Sequence, residues 1–247
     1  MERHKYLWWV PNFITALNLV CGSVAVFLAV QGYIGHAAIL IACASVFDFL
    51  DGMMARLLHS YSELGKQLDS LCDLVSFGLA PGAIVFTLLQ LALFNRQTLS
   101  FSQIINASWI EWLMLASCLL IPVAGAFRLA KFNIDTRQTT SFLGLPIPAN
   151  ALFFASLAAI IAWSNSELAI NIVLNKFNLL VSILLFSSMM VSEIPMFSLK
   201  FKNLSWADNS LRFSYLALCL IFVASMGVIG LPLIIISYIV LSIVVKG

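Results

Sequence analysis

Runs of about twenty apolar residues recur from Phe13 to Val245, separated by short polar connections, and this recurrence leaves few folds open. A run of that length crosses the hydrocarbon core of a bilayer as a helix, because lipid offers no partner to a free backbone amide. The 247 residues are 62% hydrophobic and 10% charged, too apolar for a water-soluble core. The sequence therefore predicts an all-α polytopic membrane protein with about eight transmembrane helices. They fall near 13–31, 36–58, 66–93, 112–133, 148–163, 172–191, 210–226 and 229–245. Residues 1–11, with Lys5, Tyr6, Trp8 and Trp9, read as an interfacial segment ended by Pro11, after which Asn12 or Thr15 caps a retained first span. The five cysteines lie in apolar runs without a CxxC pair, which suits small buried hydrophobes, not a disulfide or zinc framework. Nothing in the charge pattern calls for nucleic acid.

The basic residues orient these spans. With eight crossings, eleven of the 13 Lys and Arg residues, from Arg3 to Lys246, fall on one side and only Arg96 and Lys176 on the other. That bias places both termini in the cytoplasm.

One stretch contradicts the apolar background. It reads Asp48-x-x-Asp51-Gly52-x-x-Ala55-Arg56, then eight residues, then Gly65-x-x-x-Asp69-x-x-x-Asp73. Spacings of three and four put each Asp pair on one helix face. An Asp at the centre of a membrane helix costs about 2.5–3.5 kcal/mol, and four together repel. Divalent cations relieve both costs, and hard carboxylate oxygens suit Mg²⁺ or Mn²⁺. Two such ions stabilise the attacking and leaving oxygens of a displacement at phosphorus. Gly52 and Ala55 leave room for a nucleotide against the helix, though small residues also serve plain helix packing. Arg56 has the fork geometry that grips phosphate. Asp51 lies about 10 Å inside the cytoplasmic end of its span, near the depth of lipid phosphates.

This pattern resembles the signature of the CDP-alcohol phosphatidyltransferases, with every signature position filled. The resemblance implies a six-helix catalytic core over 12–191, with 192–247 adding a connecting loop and two further helices. It also implies two divalent cations, Mn²⁺ or Mg²⁺, on Asp48, Asp51, Asp69 and Asp73, with Asp73 doubling as the base that deprotonates an alcohol. Asn12, Thr15, Gly52, Ala55, Arg56, Ser62 and Gly65 would contact the CDP moiety. The implied reaction is attack of an alcohol on the lipid-bearing phosphate of CDP-diacylglycerol, releasing CMP. A homodimer in a bacterial inner membrane, with the site facing the cytoplasm, is expected.

Four weaker stretches are similar to the phosphatidylserine synthase branch: 11–19, 76–82, 128–133 and Gly144-Leu145-Pro146-Ile147-Pro148-Ala149-Asn150. L-Serine needs a cation for its carboxylate, and Arg128 or Lys131 is placed to supply it, although positive-inside anchoring explains both as well. Asn133 and Arg137 are weaker candidates, and Glu193, with Lys200 and Lys202, reads as part of a solvated loop or as a phospholipid contact. A phosphatidylglycerophosphate synthase is the alternative within the family, and a divalent cation transporter the alternative outside it.

Overall fold

The structure is a computed structural model that describes residues 9–99, 103, 105–134, 142–197 and 205–245. Helix α1 (Trp9–Val30) and α2 (Ile34–Leu57) form a hairpin around Gly32, whose φ of +90° admits glycine without strain. Helix α1 begins before Pro11, so this proline does not end an interfacial segment. It sits in the first turn, where a missing N–H costs nothing. Asn12 and Thr15 are likewise not caps; both lie inside α1. The basic residues before Trp9 lie outside the described residues.

The third span, Glu63–Phe94, is not one regular helix. Helix α3 (Glu63–Asp73) gives way to a π-helical turn, Leu74–Leu79, and then to α4 (Ala80–Phe94). Pro81 explains the widening. Its ring would clash with the carbonyl four residues back and it has no N–H to donate, whereas the wider turn lets the Ala80 N–H reach Val75 O. The fourth span joins α5 (Trp109–Ala116), a 3₁₀ turn at Ser117–Leu119 and α6 (Leu120–Ile134). A capping box between Ser108 and Glu111 starts it.

Helix α7 (Ile147–Trp163) is apolar on all sides and packs against α2 and the π-helical turn. Helices α8 (Glu167–Val173) and α9 (Lys176–Val191) meet at 59°. Two strands of two residues, β1 (Phe142–Leu143) and β2 (Pro195–Met196), pair antiparallel. Gly144, with φ +76°, follows β1; a Cβ there would stand 2.7 Å from Met190 O.

The apolar stretch Asn209–Val245 is 37 residues long. It covers most of α10 (Trp206–Met226), a turn at Gly227–Ile229 and α11 (Gly230–Val245). Tyr215 Oη donates to Ile234 O at 2.8 Å. Nineteen residues of straight helix would separate those positions by about 28 Å, so α10 and α11 fold back on each other as two spans. Among the described residues five apolar helical stretches are long enough to cross a membrane, six with the bent α8–α9 pair, against the eight expected; α7 is a shorter apolar helix.

The buried centre is built from small residues and branched aliphatics: Ala25, Ala29, Ala37, Ile41, Phe77, Ile84 and Leu88. Small side chains let helices approach closely, which matters in lipid because burial of apolar surface gives no drive there. Gly125 lies 3.9 Å from Gly78 Cα by its would-be Cβ, and Gly22 touches Ser76. Those contacts lock α1 and α6 onto the π-helical turn, one turn beyond Asp73.

Candidate active site

The four aspartates come from the C-terminal halves of α2 and α3. Asp51 of α2 and Asp73 of α3 each meet a side chain of α1. Asp48, Asp51 and Asp69 each offer a carboxylate oxygen, all within 4.8 Å of one another. One oxygen of Asp69 is buried without a hydrogen-bond partner among the described residues. A shared focus of three carboxylates with a free oxygen fits a divalent metal. Asp73 stands outside that trio.

Helix α1 supplies what the sequence reading missed. Thr15 Oγ1 lies 2.7 Å from Asp51 Oδ2 and 3.0 Å from Pro11 O. A hydroxyl has one proton, and the closer, ionisable acceptor claims it. Asn18 Nδ2 donates to Asp73 Oδ1 at 3.1 Å, and Asn18 O in turn accepts from Ser76 Oγ at 3.0 Å. Each bond fixes one carboxylate oxygen and leaves the other available. Polar Thr15 and Asn18, three apart on a largely apolar helix, were the signal for this role.

A cleft of about 570 Å³ opens beside the carboxylates. All seven residues expected to contact CDP line it: Asn12, Thr15, Gly52, Ala55, Arg56, Ser62 and Gly65. Their individual parts differ. Arg56 is exposed and its Nη1 lies 3.7 Å from where a Gly52 Cβ would be, so the guanidinium arches over open space. Ser62 caps α3, its Oγ accepting from Gly65 N at 2.9 Å. A Cβ on Gly65 would meet that Oγ at 2.9 Å and Asn12 Oδ1 at 3.0 Å, so glycine is what lets α1 close on α3. Lys66 and Tyr61 line the cleft too. Lys66 Nζ reaches Asn133 O at 3.2 Å, linking the cleft to the end of α6.

The acceptor candidates separate. Arg128 is buried at 8% exposure, its Nε has no partner among the described residues, and Asp73 is one of its electrostatic neighbours. Lys131 is instead exposed and its ammonium is held by Glu193 at 2.9 Å. Glu193 is thus not merely part of a solvated loop. Asn133 is committed to Ser70, donating to its Oγ at 2.9 Å. Arg137, Lys200 and Lys202 lie outside the described residues.

Comparison with known proteins agrees with this geometry. The sequence model of the CDP-alcohol phosphatidyltransferase family matches residues 8–199. The chain is 36% identical over 140 residues to a CDP-diacylglycerol–serine O-phosphatidyltransferase of Bacillus subtilis, covering 57% of this chain and 70% of that protein. It is 35% identical over 148 residues to the Helicobacter pylori (strain J99) protein of the same name, covering 59% and 55%. An archaetidylserine synthase of Methanothermobacter thermautotrophicus is 32% identical over 152 residues, covering 60% and 56%. Two of these alignments span little more than half the length of the relative. A family match over most of the chain, with three carboxylates of the pattern gathered beside one cleft, makes this chain a member of the CDP-alcohol phosphatidyltransferase family.

Proposed function

We propose that this protein transfers the phosphatidyl group of CDP-diacylglycerol to the hydroxyl of L-serine and releases CMP. The observation that carries the reading is the carboxylate trio opening onto a cleft lined by every residue expected to contact CDP. The names of the relatives support serine as the acceptor. Arg128 supports it further: one buried cation suits a single carboxylate, whereas a phosphorylated acceptor would want a cluster. That favours serine over glycerol phosphate. A cation transporter is disfavoured because the carboxylates gather at one end of the bundle.

In this reading Asp48, Asp51 and Asp69 hold two divalent cations, Mn²⁺ or Mg²⁺, with Asp73 completing the set. Bound there, the cations neutralise the diphosphate and stabilise the attacking and leaving oxygens. Arg56 grips the diphosphate through its fork. Lys66 adds a second positive charge beside the N-terminus of α3, which itself favours anions. Gly52 and Ala55 leave the floor flat for the nucleotide. Asn18 restrains one oxygen of Asp73, and the other takes the serine hydroxyl proton as the new O–P bond forms and the bond to CMP breaks. Arg128 holds the serine carboxylate so that the hydroxyl points at phosphorus. The cleft faces the cytoplasm of a bacterial inner membrane, and the protein works as a homodimer.

Metal dependence tests the reading. Purified protein given CDP-diacylglycerol and serine should release no CMP in EDTA and recover with Mn²⁺ or Mg²⁺. Full activity in a thoroughly chelated sample would overturn it.

A further inference from the structure

Helix α6 ends at Ile134, so the carbonyl of Asn133 belongs to the last turn, which helix geometry leaves without intrahelical donors. The helix's own Lys131 does not serve that end, because Glu193 holds its ammonium at 2.9 Å. A lysine of α3 does: Lys66 Nζ donates to Asn133 O at 3.2 Å. A cation at a helix C-terminus is favoured twice, by the open carbonyl and by the negative end of the helix dipole.

Asn133 is gripped at its side chain as well. Its Nδ2 donates to Ser70 Oγ at 2.9 Å, and Ser70 Oγ donates to Lys66 O, one turn back on α3, at 3.2 Å. The three bonds run in one direction around a closed ring, from the Lys66 ammonium back to the Lys66 carbonyl. The hydroxyl spends its one proton on that carbonyl and keeps a lone pair for the amide. Lys66 also lines the cleft, together with Arg56, Ser62 and Gly65, and its side chain is exposed. A lysine stem left free in water has many rotamers to lose when it meets a ligand. Holding it in place beforehand removes that ordering cost from binding. One N–H goes to Asn133 O, and two remain for phosphate oxygens.

We propose that Asn133 is the positioning residue for Lys66: its carbonyl holds the ammonium at the cleft, and its amide locks that carbonyl to α3, so that the CDP diphosphate meets a cation already in place. The inference rests on the reading of Lys66 as a cation for the diphosphate. It moves Asn133 from the acceptor alcohol, where the sequence alone put it, to the donor nucleotide. The ring also joins α3, which carries Asp69 and Asp73, to α6, which carries Arg128.

Steady-state kinetics on the full chain in lipid nanodiscs test it, with Mn²⁺ present and CDP-diacylglycerol and serine varied separately. Asn133→Ala removes the amide and keeps the backbone carbonyl. It should raise the CDP-diacylglycerol KM by about two- to tenfold, the scale of ordering one long side chain on binding, while the serine KM stays within twofold. Ser70→Ala cuts the same ring from α3 and should give the same rise, so the test stands on a second variant if the first does not fold. Lys66→Met alone should raise the CDP-diacylglycerol KM at least as far, and in that background neither change should add to it. An unchanged CDP-diacylglycerol KM in Asn133→Ala overturns the inference. A rise that persists in the Lys66→Met background, or an equal rise in the serine KM, overturns it too, because Asn133 would then support the end of α6 and not Lys66. If Lys66→Met alone leaves the CDP-diacylglycerol KM unchanged, the reading of Lys66 falls, and this inference with it.

Discussion

Asp73 is set apart from the other three carboxylates by what touches it: an amide from α1 on one oxygen, and Arg128 within electrostatic reach. This suits a group that must both sit near metal and accept a proton. Asp73→Asn keeps the shape and a ligating oxygen but removes the basicity. It should still bind metal and CDP-diacylglycerol by calorimetry while turnover falls by about 10²-fold or more. Asp48→Asn and Asp69→Asn should weaken metal binding itself. Near wild-type turnover in a normally binding Asp73→Asn would remove Asp73 as the base. Arg56 makes a second test. Arg56→Lys keeps the charge but loses the fork, so the CDP-diacylglycerol KM should rise by about tenfold with the serine KM unchanged. Equal defects with both substrates would mean that Arg56 supports the fold and not the diphosphate. At this scale the sequence was informative where spacing is local. Asp48 with Asp51, Asp69 with Asp73, and the glycines between them could be placed because each pair lies on one helix. The partners of these groups could not. Thr15 is 36 residues from Asp51, Asn18 is 55 from Asp73, and Lys131 is 62 from Glu193, so only tertiary packing reveals them.

Among the elements, the π-helical turn is the one that apolar periodicity hides. Leu74–Leu79 is hydrophobic enough to read as uninterrupted helix, and only Pro81 hinted at the break. Its effect is to bring Ser76 to Asn18 O and Gly78 to Pro122, so that α1 and α6 both key onto the turn after the last aspartate. Gly22 is the closest approach, since a Cβ there would stand 2.1 Å from Ser76 Oγ. Gly22→Ala must push α1 away and drag Asn18 from Asp73. We expect destabilisation of about 1–3 kcal/mol, visible as a lower melting temperature, together with reduced kcat at an unchanged CDP-diacylglycerol KM. A variant of wild-type stability and kcat would show that the turn does not position Asp73 through α1. Helix boundaries were easier to foresee than caps. Pro11, Asn12 and Thr15 read as a helix start because Pro commonly ends one segment and Asn or Thr begins another. Here all three lie in α1 because their side chains are needed at the cleft.

For the whole molecule, the expectation from charge distribution is that the cleft lies on the cytoplasmic side of the membrane. Both sides of the bundle can be probed with a membrane-impermeant maleimide on intact cells. A cysteine introduced at Gln97, on the sparsely charged side, should react. One introduced at Tyr61, which is 72% exposed at the cleft, should not react until the cells are opened. Labelling of the Tyr61 position in intact cells would invert the topology. The all-α, membrane-spanning character was legible from hydropathy alone, as was the division of the last apolar stretch into α10 and α11. How that hairpin meets the core was not, because it depends on hydrogen bonds of Tyr238 and Ser242 with the backbone of Phe197. The claim that matters most is the reaction itself, and a head-to-head acceptor assay reaches it directly. Purified protein with CDP-diacylglycerol and Mn²⁺ is offered L-serine, glycerol 3-phosphate or inositol phosphate, with CMP release and lipid product identified by mass spectrometry. The account predicts CMP release with phosphatidylserine as the product and little turnover with either phosphorylated acceptor. Preferential formation of phosphatidylglycerophosphate, or no CMP release with serine, would contradict it.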